Sequence, residues 1–149
     1  MSATRLYDRL LAVLGKGHDA LEFTQLLKDI GSPSRIYTVE DNEFHEFQHL
    51  GFALAYSRPK EIFWMLGCEF AGKPVEIGAM QPFPQELYGG ISSVDTPPEV
   101  ERKLGVKATS IKTFKENQRC MAKYEVPPYH FDCVFVDPQG RLQGMTVWV

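Results

Sequence analysis

The stretch NEFHEFQHLGFALAYS, residues 42–57, decides the fold. Inside it, HEFQH (His45, Glu46, Phe47, Gln48, His49) matches the zinc-protease pattern H-E-x-x-H letter for letter. That pattern works only on a helix, where positions i and i+4 bring two imidazoles to one face and the glutamate meets a metal-bound water. Here Gly51 follows two residues after His49, where such a helix would have to continue, and FALAYS reads as a strand. In a strand, His45, Phe47 and His49 share one face, while Phe44, Glu46 and Gln48 take the other. The two histidines are then about 13 Å apart, too far to share one ion. Glu69, at the spacing of a gluzincin third ligand, lies in GCEFAG, which does not read as the helix such a ligand needs. The segment predicts a strand, with no metal and no cofactor.

Upstream, Leu6, Leu10, Leu11 and Leu14 recur at helical spacing, predicting a helix over about residues 3–15. A second helix is expected to open at Asp19 with Glu22 as capping-box partner, to bury Phe23, Leu26, Leu27 and Ile30, and to stop at Gly31. Four strands follow, at 35–39, 42–48, 51–57 and 61–66. Beyond the loop 81–90, TPPEVERKLG predicts a short helix with Thr96 as N-cap, Pro97 at its first position and Gly105 as its stop. Four more strands are expected at 109–114, 120–126, 129–136 and 141–149, the last two joined by the turn DPQG (137–140).

The two runs overlay. LLKDIGSPSRI matches VERKLGVKATSI at an offset of about 75, and HLGFALAYSRPKEIFWM matches YHFDCVFVDPQGRLQGM at about 80, with Phe52 on Phe131, Pro59 on Pro138 and Met65 on Met145. On this overlay HEFQH falls on AKYEV, which carries no histidine pair. The expected fold class is therefore α+β, with two similar helix-then-antiparallel-meander units, about 19–80 and 88–149, forming one compact domain.

Composition narrows the function. The 149 residues carry a formal net charge of −3, too mild to argue for nucleic acid or membrane. The N-terminal stretch does not read as a signal peptide, because Asp8 and Arg9 break its apolar run. Cys68, Cys120 and Cys133 are odd in number and scattered, which suits a reduced, cytoplasmic chain. Nucleotide-binding glycine fingerprints and the G-x-S-x-G elbow are missing. Cys133 and His130 point to opposite faces of a strand, so Cys133 is expected in the core; Trp64 and Trp148 are expected there too. His18 is expected as a capping or surface residue. Two charged patches remain: Glu40, Asp41, Glu43 and Glu46, and a basic set of Arg102, Lys103, Lys107, Lys112, Lys115, Arg119 and Lys123.

LYGGISSVDTPPEVERKLG, followed by strands and D-P-Q-G-R, resembles the glycine strand and capped helix of the SmpA/OmlA-type lipoprotein domain. The doubled layout is similar to that of the β-lactamase inhibitor protein and of small bacterial immunity proteins. The resemblance implies binding and inhibition without catalysis. The expected function is an immunity-type inhibitor that occludes a cytoplasm-acting toxin, for example a nuclease. Its contacts would be Glu40, Asp41, Glu43 and Glu46 as an acidic mimic, with Tyr37, Phe44, Phe83 and Tyr88 as anchors. The alternatives are a small zinc peptidase on HEFQH and a non-enzymatic adaptor. The oligomeric state is left open.

Overall fold

The computed structural model describes residues 5–70, 73–75, 78–114, 119–136 and 140–149. The chain is an α+β domain built on an eight-stranded antiparallel sheet. In chain order its elements are α1 (Leu6–Val13), α2 (Leu21–Ile30), β1 (Arg35–Val39), β2 (Asn42–Phe47), β3 (Phe52–Ser57), β4 (Ile62–Glu69), β5 (Lys73–Val75), β6 (Gly78–Met80), α3 (Pro97–Leu104), β7 (Ser110–Phe114), β8 (Arg119–Val126), β9 (Tyr129–Phe135) and β10 (Leu142–Trp148). The short pair β5–β6 forms a separate small ribbon that the sequence pattern did not reveal.

The large sheet runs β1-β2-β3-β4-β10-β9-β8-β7. Each meander supplies one half, and the two meet where β4 pairs antiparallel with β10, Leu66 opposite Val147 and Cys68 opposite Met145. These four side chains are buried on the same side, because directly opposed residues share a face. Met65 instead opposes Trp148 on the other side. The sequence overlay of Met65 on Met145 is thus one residue out. Leu66 opposes Leu54 as Met145 opposes Cys133, and Phe63 opposes Tyr56 as Leu142 opposes Phe135, so the counterpart of Met145 is Leu66.

All three helices cover one face. Tyr7, Leu10 and Val13 of α1, Phe23 and Leu26 of α2, and Val100 and Leu104 of α3 join Phe47, Phe52, Leu54, Phe63, Leu66, Tyr124, Phe131 and Phe135 of the sheet in one core. In α1 the deepest face is Tyr7, Leu10 and Val13, with Leu6 and Leu11 only partly buried. Helix α2 begins at Leu21 with Ala20 as its N-cap and no side-chain cap. The expected Asp19–Glu22 box does not form, because Glu22 is engaged by Lys16 at 3.2 Å instead. Helix α3 starts and stops where predicted, with Thr96 as N-cap and Gly105 at φ 74. Its box contact is between side chains: Thr96 Oγ1 donates to Glu99 Oε1 at 3.0 Å.

Gly51 fixes the crossing at the centre of the first half. Its φ is +75, and a Cβ there would come within 2.2 Å of the Gln81 carbonyl oxygen and 2.5 Å of the Phe83 nitrogen. Only glycine allows that backbone approach. It lets Phe83 enter the core, at 4% exposure, beside Tyr7 and Phe52. Strand β2 therefore ends at Phe47 and turns through a 3-10 segment, Gln48–Leu50, before β3. The DPQG turn falls mainly outside the described residues.

Candidate functional site

HEFQH is divided by this geometry. His45 lies on the helix side of β2 and is 5% exposed; His49 has left the strand and is exposed, within 3.4 Å of Ser34 Oγ. Glu46, one residue along from His45, takes the opposite face. The two histidines therefore do not share a face even in the extended sense the sequence suggested.

A different group forms around His45. Alternation along β2 puts Glu43 on the same face, and its Oε1 lies 2.6 Å from His45 Nε2. The loop between α1 and α2 lays the His18 ring flat on Tyr56, at 3.6 Å between centroids, and brings His18 Nε2 to 3.3 Å from the same Glu43 oxygen. The His45 ring is walled by Phe23 and Phe63, at 6.1 and 5.4 Å. Burial lowers the His45 pKa, which the hydrogen bond and charge of Glu43 only partly offset. Burial pushes Glu43 up, but the two imidazoles outweigh it and hold the carboxyl below its ordinary value. His18 is thus a surface residue, as expected, and a partner of the cluster rather than a cap, brought there by a loop geometry the sequence does not spell.

The opposite face of the sheet is free of helices among the described residues. Strand registers align one row across seven strands: Tyr37, Phe44, Ala55, Met65, Trp148, His130 and Glu125. The row begins with a stacked pair, Tyr37 on Phe44 at 5.2 Å, and reaches a second, Trp148 on His130 at 4.0 Å. All four rings are partly exposed. Between them the row holds the buried Ala55 and the partly buried Met65, with Ala53, Gly67 and Thr146 in the adjacent row. Arg35 caps one end, its guanidinium 4.3 Å above the Tyr37 ring and 3.6 Å from Glu46. At the other end His130 Nδ1 lies against a Glu125 carboxylate oxygen. Burial and the nearby Glu46 carboxylate raise the Tyr37 pKa.

The tryptophans correct the sequence reading. Trp148 stands half-buried on this open face rather than in the core, and Trp64 is also partly exposed, donating from Nε1 to Asn42 Oδ1 at 3.0 Å. Their apolar strands gave no warning, because alternation sends every second residue outward whatever its type.

The expected contact residues separate into three groups. Tyr37 and Phe44 lie together on the open face. Glu40 and Asp41 are exposed at the β1–β2 turn, whereas Glu43 faces the helices and Glu46 is buried at 6% beside Arg35. The four acids are therefore not one surface. Phe83 is a core residue, and Tyr88 is half-buried against Phe131 and Tyr129, at 5.2 and 6.0 Å. The basic set divides as well: Lys103 bonds Asp95 at 2.7 Å and the Gly90 carbonyl at 2.9 Å, while Arg102, Lys107, Lys112 and Lys123 are exposed. Lys115 lies outside the described residues. The thiols are free and buried, and burial pushes Cys68 and Cys133 well up from the ordinary thiol range.

Fold and site together define an α+β domain with one helix-covered and one open sheet face. Neither a protein-family model nor a curated protein matches the chain in sequence. Among solved structures it is similar to an extracellular protein containing an SCP domain from Bacillus anthracis: 14% identity, TM-score 0.57, covering 99% of this chain and 48% of that one. It is also similar to a cysteine-rich secretory protein from Staphylococcus aureus: 9% identity, TM-score 0.56, covering 93% of this chain and 45% of that one. A DUF4309 family protein from Bacillus subtilis aligns over 97% of this chain and 93% of its own, at 14% identity and TM-score 0.49. The chain spans about half the length of the first two, and the likeness is one of fold. No helix among the described residues is long and apolar enough to cross a membrane.

Proposed function

We propose that the chain is a non-catalytic binding module of the immunity type, docking on a protein toxin through the helix-free face of its sheet and blocking it by occlusion. One observation carries this reading. The open face presents two stacked aromatic pairs, Tyr37–Phe44 and His130–Trp148, with Ala55 and Met65 between them in one row. Aromatic side chains with apolar faces and polar edges are the usual anchors of protein interfaces, and they lose little entropy on docking. Arg35 beside Glu46, and Glu125 against His130, flank these rings with polar contacts. The acidic contribution shrinks to Glu40 and Asp41 at the turn beside this face.

The proposed compartment is the cytoplasm, a reading supported by three unpaired cysteines. The test is co-expression with the product of the adjacent reading frame, scoring growth and co-purification. The expected result is a toxic neighbour silenced in a stable complex. Trp148→Ala together with Phe44→Ala should weaken that complex by about 100-fold or more, as removal of two anchors does. A harmless neighbour, or a complex indifferent to both substitutions, overturns the proposal.

A further inference from the structure

The group under the first half of the sheet has the donor chemistry of a metal site, at positions different from those HEFQH suggested. His18, Glu43 and His45 each offer one ligand atom, and these three atoms all lie within 4.8 Å of one another. We propose that His18, Glu43 and His45 bind a divalent transition-metal ion, zinc foremost, with a fourth position open to solvent.

Two imidazole nitrogens and one carboxylate oxygen are a ligand set zinc accepts at about 2.0–2.2 Å per bond, which places neighbouring donors roughly 3.3 Å apart in a tetrahedron. The His18–Glu43 separation of 3.3 Å already has that spacing, and the His45–Glu43 contact of 2.6 Å needs only a small rotation of the carboxylate. Two of the three donors are held before any ion arrives. The His45 ring is fixed between Phe23 and Phe63, and the His18 ring lies on Tyr56. Access is direct, since the side chains of His18 and Glu43 are 44% and 21% exposed.

An independent comparison inside the molecule shows that the fold does not require these groups. Across β2 and β3, His45 opposes Leu54 and Glu43 opposes Tyr56. Across β8 and β9, the matching places hold Ala122 opposite Cys133 and Cys120 opposite Phe135. Those two residues are buried and apolar, and the second meander is complete with them. Burying a histidine and partly burying a glutamate where alanine and cysteine serve costs desolvation that a bound cation would offset. An ion here would tie the α1–α2 loop to β2. The site lies on the opposite face from the proposed docking surface, so the two readings stand or fall separately.

The test uses the full chain, stripped with a chelator and titrated with zinc alone by calorimetry. Cobalt substitution serves as a spectroscopic probe of four-coordinate geometry. About one zinc per chain is expected, with a rise in thermal midpoint. His18→Gln, at an exposed position, should weaken binding by about tenfold or more. His45→Ala should abolish binding, and His49→Gln should leave it unchanged. Absence of zinc binding by the folded wild-type chain overturns the site. So does equal affinity in His18→Gln, or loss of binding in His49→Gln.

Discussion

The two halves of the sheet are built alike and finished differently. Each is a four-stranded meander with its inner face under a helix, and each buries a phenylalanine at the same place, Phe52 in one and Phe131 in the other. The first half, however, holds the polar group of Glu43 and His45 capped by His18, where the second has Cys120 and Ala122. The second half keeps its polar chemistry at the entrance to α3. There the buried Asp95 accepts from the Ser92 nitrogen at 3.0 Å and from Lys103 at 2.7 Å, locking the loop to the helix. What differs between equivalent places is not dictated by the architecture, and that is where function is best sought.

The largest effect should come from the shared framework. Phe52→Ala and Phe131→Ala should each cost about 3–5 kcal/mol in chemical denaturation, as deletion of a fully buried phenylalanine does. Similar values would show that the halves share the load. A gap above about 2 kcal/mol, beyond the ordinary spread between cavities, would show that one half dominates. A reciprocal exchange comes next. Ala122→His should destabilise by about 2–4 kcal/mol, because the apolar rung offers neither room nor a partner for an imidazole. His45→Leu in metal-free protein should change stability by less than about 1 kcal/mol, since an apolar side chain of similar size replaces a desolvated polar one. Equal costs for the two exchanges would erase the distinction between the halves.

The smallest effect concerns the β1–β2 turn, where Glu40 sits at φ 55. Glu40→Gly should raise stability by about 0.5 kcal/mol, the relief of left-handed strain less the entropy glycine adds to the unfolded chain. A thermal melt would resolve it, and a loss of stability would mean that the Glu40 side chain makes a contact of its own.

Much of the fold was legible in the sequence. Gly51 after HEFQH, the alternation of NEFHEF and the Thr96–Gly105 frame of α3 each state a local rule that the structure obeys. The clearest failures sit where two distant segments meet. Nothing near Phe83 says that Gly51 opens a path for it into the core. Nothing near His18 says that Tyr56 will receive its ring and turn it towards Glu43. Alternation identified the faces of β2, but not which face the helices would take, so Glu43 and Glu46 could not be separated from Glu40 and Asp41. Trp64 and Trp148 misled for the same reason. An apolar strand beside a covered face reads no differently from one that also lines an open face.

The seam between β4 and β10 bears on how the molecule is made. Every other pairing in the large sheet joins strands that follow one another in the chain, so hairpins can close as soon as they are synthesised. The seam instead joins Leu66 to Val147. Until β10 is made, the first meander has a bare inner edge as well as its outer one, and the long loop closure must precede any reward from the seam. A nascent chain halted before β10 would thus carry an unpaired strand edge beside the aromatic row, the state in which this protein would most depend on chaperones.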